Sequence, residues 1–395
     1  MTEKKLYKGF TLINGTGETP IENAFFIVEE KRVVKIGNAA DLENHDNVEV
    51  IDLTGKTVMP GLINSHVHIN MEPVGDPFAS NDSDAKIAFR TAANLKKHLY
   101  AGTTFFRDLG GNRFIDIEAR DAVNSGLLEG PEFLAAGQCI CMTGGHGWSA
   151  GGREADGPDE VRKAAREQLR AGADLLKVMA TGGVMTKGVE PGSPQLSEEE
   201  MRAAIEEAHN VGKKTATHAQ GTVGIKNAVR AGIDSVEHAI FLDDELIEMM
   251  VARGTYIVPT LAAVDFIVKN GTEAGIPEYA VRKAKSVQEA HKESIRKAYK
   301  AGVKIAMGTD SGTPFNLHGS APYEVKLLNE CCMTPMDALV AATKGSADCL
   351  GILENYGTLE EGKFADFLVL DENPLDNLDT LFNINSVYKL GRKVR

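Results

Sequence analysis

Ala171-Gly172-Ala173-Asp174-Leu175-Leu176-Lys177-Val178-Met179 is the stretch on which the reading of the fold turns. It leaves a charged amphipathic segment, passes through a glycine, and enters a short apolar run with one lysine inside it. Glycine just past a helix end supplies the left-handed conformation that terminates the helix. A short apolar run bounded by turn signals reads as a buried strand. The same junction recurs at Ala101-Gly102, Val211-Gly212, Ala231-Gly232, Arg253-Gly254 and Ala301-Gly302, with Ser125-Gly126 a looser case. The runs that follow (103–106, 175–179, 215–217, 233–236, 256–258 and 303–307), with 58–63 and 132–135, give a count of eight strands.

The helices between them are marked at their ends. Ser197-Glu198-Glu199-Glu200 is a capping box before 201–210, Asp243 precedes 245–252, Pro158 opens 159–170, and Thr334-Pro335 starts 336–349. Alternating strands and helices with short connections predict an α/β fold, a (β/α)₈ TIM barrel over 58–356. An open doubly wound sheet is the rival. The termini differ: 1–57 holds short strand-like pieces (10–13, 24–28, 32–36, 48–53), and the end adds 364–370 and 386–390. Two β-rich ends flanking a barrel predict one small β-sandwich domain built from 1–57 and 357–395.

Six residues sit at the downstream ends of separate apolar runs: His66, His68, Lys177, His218, His238 and Asp310. Side chains two apart on a strand point the same way, so His66 and His68 can grip one ion. Ligands spread from the first strand to the eighth favour closure, because in an open sheet those ends lie far apart. Imidazole suits Zn²⁺ and related ions, and a carboxylate completes the site. Lys177 is the odd member. An unpaired ammonium inside an apolar strand is costly, and burial favours the neutral amine. That amine can form a Schiff base or take up CO₂ as a carbamate, an anion shaped to bridge two cations. Beside four histidines and an aspartate the carbamate is the favoured reading, with a snorkelling lysine the least favoured. His45, His98, His209 and His291 read as solvated.

The chain has 395 residues, 43% of them hydrophobic, and 43 Lys+Arg against 56 Asp+Glu give a formal charge of −13. An acidic chain without a basic run argues against nucleic acid. No apolar stretch approaches membrane-spanning length, and Met1-Thr2-Glu3-Lys4-Lys5 does not read as a signal peptide. Cys139, Cys141, Cys331, Cys332 and Cys349 make a poor disulfide framework, which points to a reducing compartment, the cytoplasm.

Pro60-Gly61-Leu62-Ile63-Asn64-Ser65-His66-Val67-His68 resembles the opening motif of the amidohydrolase superfamily. Residues 173–183 with Lys177, Thr217-His218-Ala219, Glu237-His238 and Gly308-Thr309-Asp310 resemble its later landmarks, in order. Gly357-Thr358-Leu359-Glu360-Glu361-Gly362-Lys363-Phe364-Ala365-Asp366 is similar to the segment that returns such chains to their sandwich domain. The resemblance implies two divalent ions, Zn²⁺ foremost, bridged by a hydroxide and by N6-carboxylysine at Lys177. His66, His68 and Asp310 would hold one ion and His218 and His238 the other, with Asp310 moving the proton. Asn64 departs from the aspartate frequent at its position.

Thr143-Gly144-Gly145-His146-Gly147 and Ala180-Thr181-Gly182-Gly183-Val184-Met185-Thr186 resemble the prolidase-like branch of Xaa-Pro and arginine- or lysine-releasing dipeptidases. The likeness implies that His146 contacts substrate; the alternative is a histidine that only orders its own turn. Gln220 stands where members of the branch carry a substrate-reaching tyrosine. Arg153, Lys187 or His318 could meet a substrate carboxylate. The loop 184–195 reads as a lid or as a plain mobile connection. The sequence thus points to a binuclear metal-dependent hydrolase cleaving the amide bond of a dipeptide or N-acyl amino acid. The alternative is hydrolysis of a cyclic amide or carbamate, although imidazolonepropionase-type sites use one metal and lack the bridging lysine. A Schiff-base lyase and a non-catalytic scaffold rank lower, since scaffolds lose ligands and all six are present here. Oligomeric state stays open, a homo-oligomer included.

Overall fold

The run 58–63 is two strands. Pro60 ends the first, and at Gly61 the chain crosses to another sheet so tightly that a Cβ would lie 2.2 Å from Thr104 Oγ1. Thr57–Pro60 therefore belongs with the terminal strands, and Leu62–Val67 begins the parallel system. This computed structural model describes residues 4–42, 48–78 and 82–395. The readings made on His45 and on Met1-Thr2-Glu3 fall outside them.

The terminal strands form one mixed sheet. Its order is Arg392–Lys393, Ser386–Lys389, Phe367–Leu370, Thr57–Pro60, Lys4–Leu12, Ile21–Glu29, Arg32–Asn38, with Glu49–Asp52 pairing off Lys4–Leu12. Thr57–Pro60 is the seam. It runs parallel to Lys4–Leu12 (Leu12 opposite Val58) and antiparallel to Phe367–Leu370 (Met59 opposite Leu368). Alternation along these strands, with a register shift between Lys8 and Phe10 that resets the phase, sends Tyr7, Phe10, Phe26, Phe367 and Tyr388 to one buried face. There Phe26 meets Tyr7, Phe10 and Phe367 at ring-centroid distances of 5.0, 5.2 and 5.0 Å.

The parallel strands form two sets. One has the order Arg153–Glu154, Ile140–Cys141, Leu175–Met179, Lys214–Ala219, Ser235–His238, Tyr256–Val258; the other is Leu62–Val67, Thr103–Asp108, Glu132–Ala135. The strand expected at 303–307 is reduced to one isolated parallel bridge, Ile257 with Ile305, and a second, Val67 with Ser311, lies just beyond it. Its backbone bonds are shared too widely for a ladder. Ala306 N donates to Ile257 O (2.9 Å), Met307 N to Ala341 O (2.9 Å), and Met307 O accepts from Ser65 N (2.8 Å). The segment thus lies between the last strand of one set and the first strand of the other.

Helix ends follow the signals in the chain. Ser197 Oγ accepts from Glu200 N while Glu200 accepts from Ser197 N, closing the capping box before Glu198–His209. Gly172 ends Pro158–Ala171 at φ +99°, where a Cβ would be strained. The single helix expected over 336–349 is three pieces, Pro335–Val340, a π turn Ala341–Gly345, and Ser346–Leu350. The π turn frees Ala341 O for Met307 N.

Two histidines read as solvated are buried. His98, on Asp84–Tyr100, shares its inward stripe with Thr91, Asn94 and Leu95. Its Nε2 lies 3.1 Å from His318 Nδ1, and its ring stacks on Phe106. His291 sits at 1% exposure on Glu278–Lys300, with the Pro259 and His238 carbonyls beside it. Polar residues occupy the inward stripes of both helices, which charge periodicity alone does not reveal. His209 is at the surface, paired with Asp234 at 2.8 Å. No helix among the described residues is long and apolar enough to cross a membrane.

Candidate active site

His66, the penultimate residue of its strand, and His68, one residue beyond it, project to the same side, and Asp310 follows the segment that lies against them. His66 Nε2 is 3.3 Å from His68 Nε2, and Asp310 Oδ1 is 3.2 Å from the first and 3.3 Å from the second. Donors held tetrahedrally at zinc–nitrogen distances would be spaced about 3.3 Å apart. His238 joins His66 and Asp310 in a set of ligand atoms all within 4.8 Å of one another. The ring of His218 lies 4.6 Å from that of His238.

Each ring has one nitrogen committed elsewhere, which leaves the other a bare lone pair. His66 Nδ1–H donates to Glu237 Oε2 (2.9 Å), His68 Nδ1–H to Gly110 O (3.0 Å), and His218 Nε2–H to Gly182 O (3.2 Å). The Thr260 hydroxyl is spent on Pro259 O, so His238 Nδ1–H donates to Thr260 Oγ1 (2.6 Å). Burial pulls His218 and His238 well below the ordinary imidazole range and keeps them neutral. On His68 burial acts the same way, but Asp310 beside it raises the pKa on balance. Burial would raise the Asp310 carboxyl, yet His66 and His68 hold it well below the usual range. Neutral His218 and His238 and ionised Asp310 are the protonation states a cation needs, and a cation in place of the proton would take up the Asp310 charge beside His68.

Lys177 is 2% exposed in the middle of its strand, and burial lowers its pKa to about 8. Among the described residues its ammonium has no hydrogen-bond or ion-pair partner. It lines the same cavity as His66, His68, His218, His238 and Asp310. An unpartnered buried amine beside four imidazoles and a carboxylate fits a group that becomes an anion bridging cations.

Backbone strain collects at the same place. His238 has φ 72° and Asp310 φ 59°, left-handed values that non-glycine residues rarely adopt. Asp310 is held there by its N–H on His66 O (2.8 Å), and Ala239 by its N–H on Ala219 O (3.1 Å). Asn64 reinforces the join. Its Oδ1 accepts from Thr309 N (3.0 Å) and His66 N (3.2 Å), while Nδ2 donates to Thr309 Oγ1 (2.8 Å). An amide therefore ties the two ligand-bearing segments where an aspartate is frequent.

Beneath the histidines lies a network the sequence did not announce. Arg107, 1% exposed, donates from Nε to Ser65 O (2.7 Å), from Nη1 to Ser235 Oγ (3.0 Å) and from Nη2 to Glu237 Oε1 (2.9 Å). Burial would raise the Glu237 carboxyl, but Arg107, and then His66, bring it down to about 2. The signal was present in two charges, Arg107 in Thr103–Asp108 and Glu237 in Ser235–His238, each inside a short strand that is buried throughout.

His146 also lines the cavity. Its ring packs 4.0 Å from that of His218, its Nδ1 lies 2.8 Å from Thr186 Oγ1, and burial pushes its pKa down to about 3. Gln220 lines the wall, and its Oε1 is a buried acceptor without a partner among the described residues. Arg153, Lys187 and His318 are not on the wall. Arg153 pairs with Glu167 (2.8 Å), Lys187 is exposed, and His318, driven to about 4 by burial, contacts Met71 O. The guanidinium that does reach the cavity is Arg90, already bonded to Glu72 (3.1 Å) and Asp82 (2.7 Å). The rest of the wall is largely apolar, including Met71, Phe78, Ile87, Val184, Met185, Val264 and Ile267. Cys139 is on it too, a free thiol pushed up to about 11 by burial; the other four cysteines are also free.

The sequence profile described as "Amidohydrolase family" matches residues 57–394. The chain belongs to the amidohydrolase family. Ochratoxinase from Aspergillus niger is 32% identical to this amidohydrolase over 412 aligned positions, covering 94% of this chain and 82% of that one. A crystal structure of a Xaa-Pro dipeptidase with methionine bound in its active site superposes with a TM-score of 0.93 at 33% identity, over 100% of both chains. A prolidase in complex with N-methylphosphonate-L-proline gives 0.92 at 29% identity, over 99% of each. This amidohydrolase is thus a metal-dependent hydrolase of the prolidase-like branch.

Proposed function

We propose that this amidohydrolase cleaves the amide bond of a dipeptide or N-acyl amino acid with two divalent ions, Zn²⁺ foremost. His66, His68 and Asp310 would hold one ion, His218 and His238 the other, and Lys177, as N6-carboxylysine, would join them. Bound there, such ions supply a water acidic enough to ionise near neutral pH and a Lewis acid for the scissile carbonyl. Asp310, kept ionised, accepts the proton released as the carbonyl is attacked and passes it to the leaving amine. His146, kept neutral, meets the substrate on the third-strand side, and Gln220 offers it an amide. The same reading takes the chain from Leu62 to residue 356 as a closed (β/α)₈ barrel and assigns the two ends, 357–395 and the N-terminal stretch extended from 57 through Pro60, to a composite β-sandwich domain. The Ile257–Ile305 and Val67–Ser311 bridges support closure.

The observation that carries this reading is the set of donors from His66, His68 and Asp310 at 3.2–3.3 Å beside a buried, unpartnered Lys177. The test is metal analysis and a panel of dipeptides and N-acyl amino acids with metal-reconstituted protein. Turnover of the panel by protein holding two ions per chain is the expected result. Lys177→Ala should lose metal and activity together, and a variant that kept both would overturn the bridging role. A borohydride-trapped adduct at Lys177 would establish Schiff-base chemistry instead. A second reading, hydrolysis of a cyclic amide or carbamate, has its own support: the wall guanidinium Arg90 is already engaged by two carboxylates. Turnover of lactams or carbamates, with none of dipeptides, would select it.

A further inference from the structure

Lys283, on the helix Glu278–Lys300, is 1% exposed, yet among the described residues no carboxylate balances its charge at hydrogen-bond distance. Its three N–H donors are instead taken by three backbone carbonyls of one loop: Thr186 O at 2.8 Å, Gly183 O at 3.4 Å, and Val189 O. The Tyr279 ring lies 5.3 Å from the ammonium, and its hydroxyl donates to Met185 O of the same loop (3.0 Å). A buried ammonium satisfied only by carbonyls couples its own solvation to the order of that loop.

Two of those three carbonyls belong to residues that touch His146. Thr186 Oγ1 meets His146 Nδ1 at 2.8 Å. Gly183 lies so close to the imidazole that a Cβ there would sit 2.5 Å from Cε1 and 2.7 Å from Nε2. The preceding carbonyl, Gly182 O, accepts from His218 Nε2 at 3.2 Å. His146 is therefore held between the loop backbone and the His218 ring, 4.0 Å away. The far side of the loop is anchored by residues 280–287 of the Lys283 helix, which pack with Val184 and Met185.

We propose that Lys283 is a positioning residue for the hydrolytic reaction. Its ammonium clamps the carbonyls of Gly183, Thr186 and Val189 and so sets the place and tautomer of His146. The proposal rests on His146 being the histidine that meets substrate. Lys283→Met keeps the length of the stem and removes the three donors. In the parent, ¹⁵N-histidine spectra of the purified protein should show His146 as a single neutral tautomer, its signal identified by its loss in His146→Ala. In Lys283→Met that signal should move toward tautomer averaging. The drop in kcat/KM should be roughly 10–100-fold, carried mainly by kcat, as for a sub-ångström to ångström misplacement of a catalytic group. The double variant Lys283→Met/His146→Ala should be no slower than His146→Ala alone. If Lys283→Met does not fold, Lys283→Gln, which keeps two donors, should show the same changes in smaller measure. An unaltered His146 signal, or losses that multiply in the double variant, would overturn the proposal. Absence of any amide hydrolysis by the parent would instead defeat the reading of its function and leave the spectral test in force.

Discussion

Replacing Arg107 by methionine should be among the most damaging single changes in the parallel-strand region. The guanidinium joins three strands at one buried point: its own, that of Ser65, and that of Ser235 and Glu237. Glu237 is 0% exposed, so without Arg107 its carboxylate keeps only the Ser235 hydroxyl (2.7 Å) and the His66 ring (2.9 Å). Removing one partner of a buried, hydrogen-bonded ion pair costs about 3–5 kcal/mol, because the remaining charge is left without compensation. Ser65 O also loses its donor, which places the expected loss in that range rather than below it. The assay is urea denaturation followed by far-ultraviolet circular dichroism, with the free-energy change taken from the midpoint shift at a common m value. A second variant separates stability from chemistry. Arg107→Met with Glu237→Leu removes both charges and should recover most of the stability. It should not recover activity, because His66 Nδ1–H then has no acceptor to fix its tautomer. An Arg107→Met protein within about 1 kcal/mol of the parent would refute the argument that the pair is a mutually dependent buried unit.

Gly183→Ala tests the contact between loop and imidazole directly. Its Cβ would overlap His146, so turnover should fall roughly 10–100-fold while the melting temperature barely moves, and parent-like kinetics would discount the contact. Phe26→Ala empties the centre of the aromatic cluster of the mixed sheet and should cost about 3–5 kcal/mol by urea titration; a loss under about 1 kcal/mol would mean that the cluster is not tightly packed. Asp234 provides the pH test. Burial raises its pKa, but hydrogen bonds from His209, Lys214 and Thr215 lower it on balance. A lowered native pKa gives stability that is present above the ordinary carboxyl range and lost as pH falls through the native value. Asp234→Asn should therefore cost about 1–2 kcal/mol at pH 7 and progressively less below about pH 4. A difference independent of pH would show that the charge is irrelevant.

The parallel strands were legible because each is announced by a helix-ending glycine and a short apolar run, two local signals with separate physical causes. The site residues were legible for a related reason: His66, His68, Lys177, His218, His238 and Asp310 interrupt or end apolar runs, where polar side chains are costly without a task. What escaped was everything set by tertiary partners. His98 and His291 lie on helices whose inward stripes also carry threonine, asparagine and serine, so periodicity did not mark them as buried. The split at Gly61 depends on how close Thr104 comes. The near-absence of a strand at 303–307 depends on Ala341 O, in a π turn that only the folded chain reveals. Arg153, Lys187 and His318 were plausible by charge and loop position. Arg90 reaches the cavity from a helix instead, and nothing in its local sequence points there.

The seam strand Thr57–Pro60 has a consequence for the order of events during synthesis. Its partner Lys4–Leu12 is made before it, but its other partner, Phe367–Leu370, follows on the order of 300 residues later. At translation speeds of about 5–20 residues per second, that edge stays open for roughly 15–60 s on the ribosome. Throughout that interval Val58, Tyr7 and Phe26 lack the aromatic cover of Phe367 and Tyr388. The nascent chain thus carries a sticky half-sheet until Phe367–Leu370 emerges. Premature termination anywhere before Phe367 would leave that edge exposed for good, so a truncation far from any catalytic residue leads to aggregation.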